Sequence, residues 1–314
     1  SRPWLEPFAD FGQCRGLPWA VSWRDRAAFL PENLLGKGVG MADGATGSSA
    51  FGGEPSPVRQ TGLAGWLAAL LALVTTGAIV AIALVAPAVV DLLFGPVALD
   101  QGAGPAIGGA DERVGQPSWI HLIAFQVTVV VLAMLMADPR GRQTAANLAW
   151  KPLQDRRAWL TPFIVTFLVS ILIALVVFTF FSDVVERDLA PIRQMVRDGP
   201  LWLAFAALAI GAPLSEELLF RGYLLQRLKH TPLGFWGGAL IANVAWTALH
   251  FGYSWLSLAD VFIAGLLFTW ALWRTGSIWV PIAFHAIYNA IVFFIMLIPE
   301  QERAAATLLP GFPL

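Results

Sequence analysis

An all-α, polytopic transmembrane helical bundle is the fold class this sequence predicts, from its charge content, its hydropathy and the form of its apolar runs. Of 314 residues, 57% are hydrophobic and only 13% charged, against about 25% charged in a soluble domain. Mean hydropathy is +0.66. So little polar surface cannot coat a water-exposed body. In lipid, every backbone amide and carbonyl must be satisfied internally, by helices or by a closed barrel. The apolar runs are continuous rather than alternating, which selects helices.

Taken in order, residues 1–60 mix Trp, Pro, Gly and charge and open with no apolar run, so they read as a weakly ordered cytoplasmic arm rather than a signal peptide. Met41, followed by the small-residue stretch Ala42 to Ala50, is an alternative start. Segments near the 20 residues that cross a hydrocarbon core fall at 62–90, 118–136, 159–181, 201–228, 233–252, 256–273 and 277–298. That gives seven spans, or eight if the first breaks near Pro87. The first two spans and their loops occupy 61–157, a core follows at 158–298 and a tail at 299–314. Phe94 to Gln116, rich in Gly, Ala and Pro, reads as a loop. Counted over alternating sides, 15 of the 20 basic residues share the side of the N-terminus. The positive-inside rule then places the N-terminus in the cytoplasm and the C-terminus outside. A net charge of −1 predicts no nucleic-acid partner. The single cysteine, Cys14, excludes an internal disulfide and reads as an incidental small residue.

Charge inside the spans is where chemistry is expected, because each ionised side chain near the bilayer centre costs about 2.5–3.5 kcal/mol on insertion scales. Span four carries Glu216, Glu217 and Arg221. Glu217 and Arg221 are four apart with the acid first, the favourable order for a helical pair. Glu216 points about 100° away and has no partner on its own helix, so a substrate, a water or another helix can claim it. Snorkelling of both carboxylates at the cytoplasmic interface, among Arg221, Arg227 and Lys229, is the alternative. Pro213 removes a backbone bond just before them. Span five places Asn243, Trp246 and His250 on one stripe, and span seven places His285 and Asn289 on one face. His121 and His230 fall near span ends and read as interfacial. The chain has no His-Glu-x-x-His zinc helix, no Gly-x-Ser-x-Gly turn and no phosphate loop, and no Gly-x-Gly-Asp sequence surrounds Asp91 or Asp260.

These three elements resemble the family of type II CAAX prenyl endopeptidases and bacterial CPBP (bacteriocin-processing) proteins. Its Glu-Glu-x-x-x-Arg motif stands here as Glu216, Glu217 and Arg221. Its Phe-x-x-x-His motif appears as Trp246 to His250, with Trp in place of Phe, and its His-x-x-x-Asn motif as His285 to Asn289. The resemblance covers residues 160 to 298. It implies an intramembrane protease acting on membrane-embedded or lipidated peptides in the bilayer, CAAX-type or bacteriocin-like. Glu216 is then the general base toward water, with His250 orienting the water or donating to the leaving nitrogen. His285 and Asn289 are donors to the oxyanion, and Glu217 with Arg221 braces Glu216. The family is described both as metalloproteases and as glutamate-dependent proteases. Asn289 is a poor zinc ligand, so no cofactor is the preferred reading, with zinc on Glu216, His250 and His285 as the alternative. Two rivals come from other classes. One is a non-catalytic immunity or scaffold protein of the same fold. The other is a proton-coupled transporter, which would show paired repeats, and none is visible.

Overall fold

Long apolar runs ended by Pro, Gly or a capping Ser set the element boundaries in the computed structural model, which describes residues 60–94, 118–152 and 157–298. The first run breaks at Leu84 and Val85 into α1 (Gly62–Ala83) and α2 (Ala86–Phe94), just before Pro87, whose ring cannot continue the preceding turn. Helix α3 (Trp119–Ala137) starts in a capping box: Ser118 Oγ accepts from the His121 amide, and His121 Nδ1 accepts from the Ser118 amide. This satisfies two N–H groups that a helix start leaves open. Then come α4 (Leu160–Phe180), α5 (Ser182–Asp198), α6 (Leu201–Leu228), α7 (Gly234–Ala248), α8 (Trp255–Thr275) and α9 (Trp279–Leu297). Helix α8 is capped by Ser254 and closed by Gly276 at φ 67°, a left-handed position where a Cβ would be strained. Among the described residues every regular element is helical.

Among the described residues six stretches are long and apolar enough to cross a membrane: α1 with α2, α3, α4, α6, α8 and α9. The protein is an integral, multi-pass membrane protein. The seventh expected span, 233–252, is only the 15-residue α7, about 22 Å long at 1.5 Å per residue, followed by a turn. Contacts nevertheless sort the helix ends into two sides. On one, Gln60 N–H donates to His230 O, Arg227 to Met136 O, Ile278 N–H to Ala149 O and Ser277 Oγ to Lys151 O. On the other, His121 meets Asp91, Trp119 Nε1 donates to Met195 O, and Ser254 donates to Asp188. Helix α7 therefore runs between the same two sides as its neighbours despite its length.

Helix α5 lies between the third and fourth expected spans, where the sequence reading assigned no element. Its signal is amphipathic spacing: Val185, Leu189, Ile192 and Val196 line one face, while Arg187, Gln194 and Arg197 are exposed. The arm 1–60 apart from Gln60, the loop after Phe94 and the tail 299–314 lie outside the described residues.

Helix α6 is not uniformly α. Two π segments, Ala206–Gly211 and Leu218–Leu224, flank the α turn Ala212–Glu217. In the first, Ala212 N–H reaches Ala207 O, five residues back. Continuing that pattern, Pro213 would donate to Leu208, but it has no N–H to give. Side chains from neighbouring helices fill in. Gln126 Nε2 of α3 donates to Ala207 O at 3.0 Å, and Asn289 Nδ2 of α9 donates to Leu208 O at 2.9 Å. Gly211 lets Gln126 lie flat against the helix, since a Cβ there would come within 2.9 Å of Gln126 Cδ.

Candidate active site

The two adjacent carboxylates of α6 diverge at once. Glu217 is fully buried, and its Oε1 accepts from Arg221 Nη1 at 3.2 Å and pairs with His285 Nδ1 at 3.0 Å. Arg221 goes on to donate through Nη2 to Asn243 Oδ1 and Gly265 O, both at 3.1 Å, and through Nε to Thr269 Oγ1 at 3.4 Å. Asn243 Nδ2 donates to Phe262 O. One guanidinium thus joins α6, α7 and α8, while Glu217 adds α9 through His285. Burial, 0% and 1% exposed for Glu217 and Arg221, excludes snorkelling of Glu217, one of the two carboxylates for which it was the alternative. Glu217 Oε2 has no hydrogen-bond partner among the described residues.

Glu216 has the other environment. Its side chain is 25% exposed and lines a cavity of about 460 Å³. The expectation that it has no partner holds on its own helix, but another helix claims it: Trp246 Nε1–H donates to Glu216 Oε2 at 2.6 Å. His285 Nε2 stands 3.9 Å from the same oxygen, too far for a direct hydrogen bond and near enough for one water to touch both. With Nδ1–H on the Glu217 carboxylate, the neutral His285 ring presents Nε2 as an acceptor. His250 is not on α7 itself but in the turn after its C-cap, Leu249. Its Nδ1 meets Trp246 O at 3.2 Å, which leaves Nε2 unclaimed by that carbonyl. Asn289 lines the cavity as well, with one amide N–H spent on Leu208 O and the second left over.

All four expected catalytic residues, Glu216, His250, His285 and Asn289, therefore line one cavity, while Glu217 and Arg221 stand behind it and Trp246 forms part of its wall. The rest of the wall is mostly apolar, with Phe125, Phe167, Ile171, Ile192 and Val292 contributed by α3, α4, α5 and α9. The sequence reading did not find three further polar members: Asp188, Asp260 and Tyr288. Tyr288 Oη donates to Asp260 Oδ2 at 2.5 Å. Asp260 was findable, since an intramembrane carboxylate marks a functional site by default; Asp188 was hidden with its helix. Asp188 Oδ2 accepts from the Ser254 amide at 3.0 Å, Ser254 Oγ at 2.5 Å and Ser257 Oγ at 2.6 Å, tying α5 to the start of α8. Burial raises its proton affinity, but the donors from Ser254 and Ser257 outweigh that and hold the carboxyl below the usual Asp range. Tyr253, in the turn beside it, is pushed up to about 12 by burial first and then by the charges of Glu216 and Asp188.

Among the described residues no group of three His, Cys, Asp or Glu side chains is placed to hold a metal ion. No step below passes through a metal.

The model of the family described as "Type II CAAX prenyl endopeptidase Rce1-like" matches residues 198–291. This segment is similar to that family. It runs from the end of α5 into α9 and so takes in Glu216, Glu217, Arg221, Trp246, His250, His285 and Asn289, in agreement with the resemblance read from the motifs. Two curated relatives overlap the chain in part. An uncharacterized 24.3 kDa protein of Escherichia coli is 36% identical over 85 residues, which is 26% of this chain and 39% of that protein. The uncharacterized protein YyaK of Bacillus subtilis is 31% identical over 153 residues, 45% of this chain and 47% of that protein. The chain thus spans less than half the length of either relative. No solved structure matches.

Proposed function

We propose that this protein is an intramembrane endopeptidase that hydrolyses peptide bonds of membrane-embedded or lipidated substrates, with Glu216 as general base. The supporting observation is the placement of Glu216: a carboxylate on a mostly apolar cavity, held at one oxygen by Trp246 and 3.9 Å from the acceptor nitrogen of His285. In this reading a water donates one hydrogen to Glu216 and the other to His285 Nε2, which aims its lone pair at a carbonyl carbon in the cavity. Glu216 takes the proton as the C–O bond forms and returns it to the nitrogen as the C–N bond breaks. The spare N–H of Asn289 stabilises the oxyanion. His285 then serves beside the water rather than as an oxyanion donor, because its Nδ1–H is turned to Glu217. His250, with its Nδ1–H on the Trp246 carbonyl, keeps Nε2 as an acceptor that helps orient the water. The mostly apolar wall lowers the local dielectric and strengthens each of these contacts.

The test is cleavage of a peptide library by purified protein in detergent beside Glu216→Ala. Cleavage by the wild type alone supports the proposal; equal cleavage by both proteins ends it. The 15-to-5 division of basic residues supports an N-in, C-out orientation. A reporter fused after Arg303 is then non-cytoplasmic and one between Arg140 and Arg157 is cytoplasmic, and the reverse pattern inverts the orientation.

A further inference from the structure

We propose that Trp246 is a positioning residue of the reaction: its indole N–H holds Glu216 Oε2 in place, 3.9 Å from His285 Nε2, so that one water can meet both. The inference rests on Glu216 as the base. It starts from a feature that sequence comparison alone treats as minor, a Trp where the family motif has Phe. The two rings fill similar space, but only the indole carries a donor, and here that donor makes a 2.6 Å bond to Glu216 Oε2. A glutamate on a cavity wall has three rotatable bonds and only water to hold it. One charge-assisted bond from a rigid group removes that freedom at the acidic end.

Trp246 is itself held on every side. It is 2% exposed. Arg221 Cζ lies 4.4 Å over its ring, and the rings of His250 and His285 meet it edge-on at 5.4 and 5.5 Å. Phe268 adds a tilted contact at 6.2 Å. Helix α8 makes room with Gly265, where a Cβ would stand 2.6 Å from Trp246 Cζ3 and 2.7 Å from Arg221 Nη2. The indole therefore links the brace around Arg221 to the base in the cavity. Being a donor only, it can neither take the proton of the water nor compete with the base for it. Its effect is to orient Glu216.

Two variants separate the N–H from the ring. Trp246→Phe removes the donor and trims the ring. Replacement of Trp246 by β-(3-benzothienyl)alanine exchanges N–H for sulfur at almost unchanged shape. Both are expected to lower kcat about ten- to hundredfold, the range of a hydrogen bond to a charged group, with KM within about twofold and the melting temperature of the sulfur isostere unchanged. A purely structural role would leave the isostere at the wild-type kcat, and that result overturns the proposal even if Trp246→Phe is slow. A readout independent of turnover is the indole N–H resonance of 15N-labelled Trp246, assigned by its absence in Trp246→Phe. It is expected to move upfield in Glu216→Ala, and an unmoved resonance also overturns the proposal. Wild-type cleavage by Glu216→Gln would remove the base role itself, whereas an inactive Glu216→Gln beside a fully active isostere removes only the role of Trp246.

Discussion

Glu216 and Glu217 are neighbours in the chain, of the same residue type and on the same turn of α6, yet they occupy opposite worlds. Glu217 is fully buried against a guanidinium and an imidazole. Glu216 faces a cavity and is held by a single indole. The 100° that separates consecutive helical residues is the whole cause. One carboxylate is turned to a fixed positive partner, which makes it part of the frame. The other is turned to open space, which leaves it an oxygen to use. Function follows from what lies opposite a side chain rather than from its identity.

Glu216→Gln is the sharpest way to break this comparison. It keeps size and the bond from Trp246 to a carbonyl oxygen but removes the base. Turnover should fall by about 10²–10⁴ in single-turnover cleavage, while the thermal melt in detergent stays near wild type. Glu217→Gln should do the reverse in character. It leaves Arg221 buried beside a neutral amide, and breaking a buried pair from one side costs about 3–5 kcal/mol. The melt should drop steeply, and activity with it because His285 loses its orienting partner. Equal stability of the two variants would dissolve the distinction between frame and base.

Asn289→Ala should fall between them. Loss of an oxyanion donor typically costs ~10²–10³ in kcat, and the freed Leu208 carbonyl should subtract about 1 kcal/mol of stability. A fall in rate with KM nearly unchanged, beside a small shift in the melt, is the expected pair of readings. The smallest effect is expected at Asp188. Its folded-state proton affinity is depressed by Ser254 and Ser257, so it contributes stability above the ordinary Asp value of ~3.9 and loses it as pH falls through the lower folded value. The melting-temperature gap between wild type and Asp188→Asn should therefore be present at pH 7 and close below that range. A gap that persists at low pH would mean that the ion itself is not what joins α5 to α8.

The parts of this site legible in the sequence were those with local spacing. The Glu217–Arg221 pair follows from an i,i+4 interval, and His285 and Asn289 share a face of α9 for the same reason. The bundle was legible because continuous apolar runs have few other solutions in lipid. What the sequence could not show depends on how helices approach one another. Trp246 meets Glu216 across 30 residues of chain, and His285 meets Glu217 across 68. Neither interval has a period. The shortness of α7 was missed because its apolar run continues into Leu249 and Phe251, which lie exposed in the turn rather than extend the helix. Helix α5 was missed because its polar face hid it among loops.

The two π segments of α6 give the helix a surplus of chain. Each i→i+5 turn holds one residue more than an i→i+4 turn, so α6 has the form of a regular helix with one insertion on either side of Ala212–Glu217. Such an insertion leaves the distant faces of a helix in register with their neighbours and lets the local backbone bulge. Beside the first bulge Pro213 leaves Leu208 O without a backbone donor and Asn289 holds it, while Ala207 O accepts from both Ala212 N–H and Gln126. A shortened chain with one residue removed from Ala206–Gly211 would keep the same faces toward α3 and α9. With Ala209, Ile210 or Gly211 removed, Pro213 would stand four places after Leu208, still without an N–H to give, so Leu208 O would go on needing Asn289. The anchoring of that amide is thus written into one proline rather than into the length of the helix.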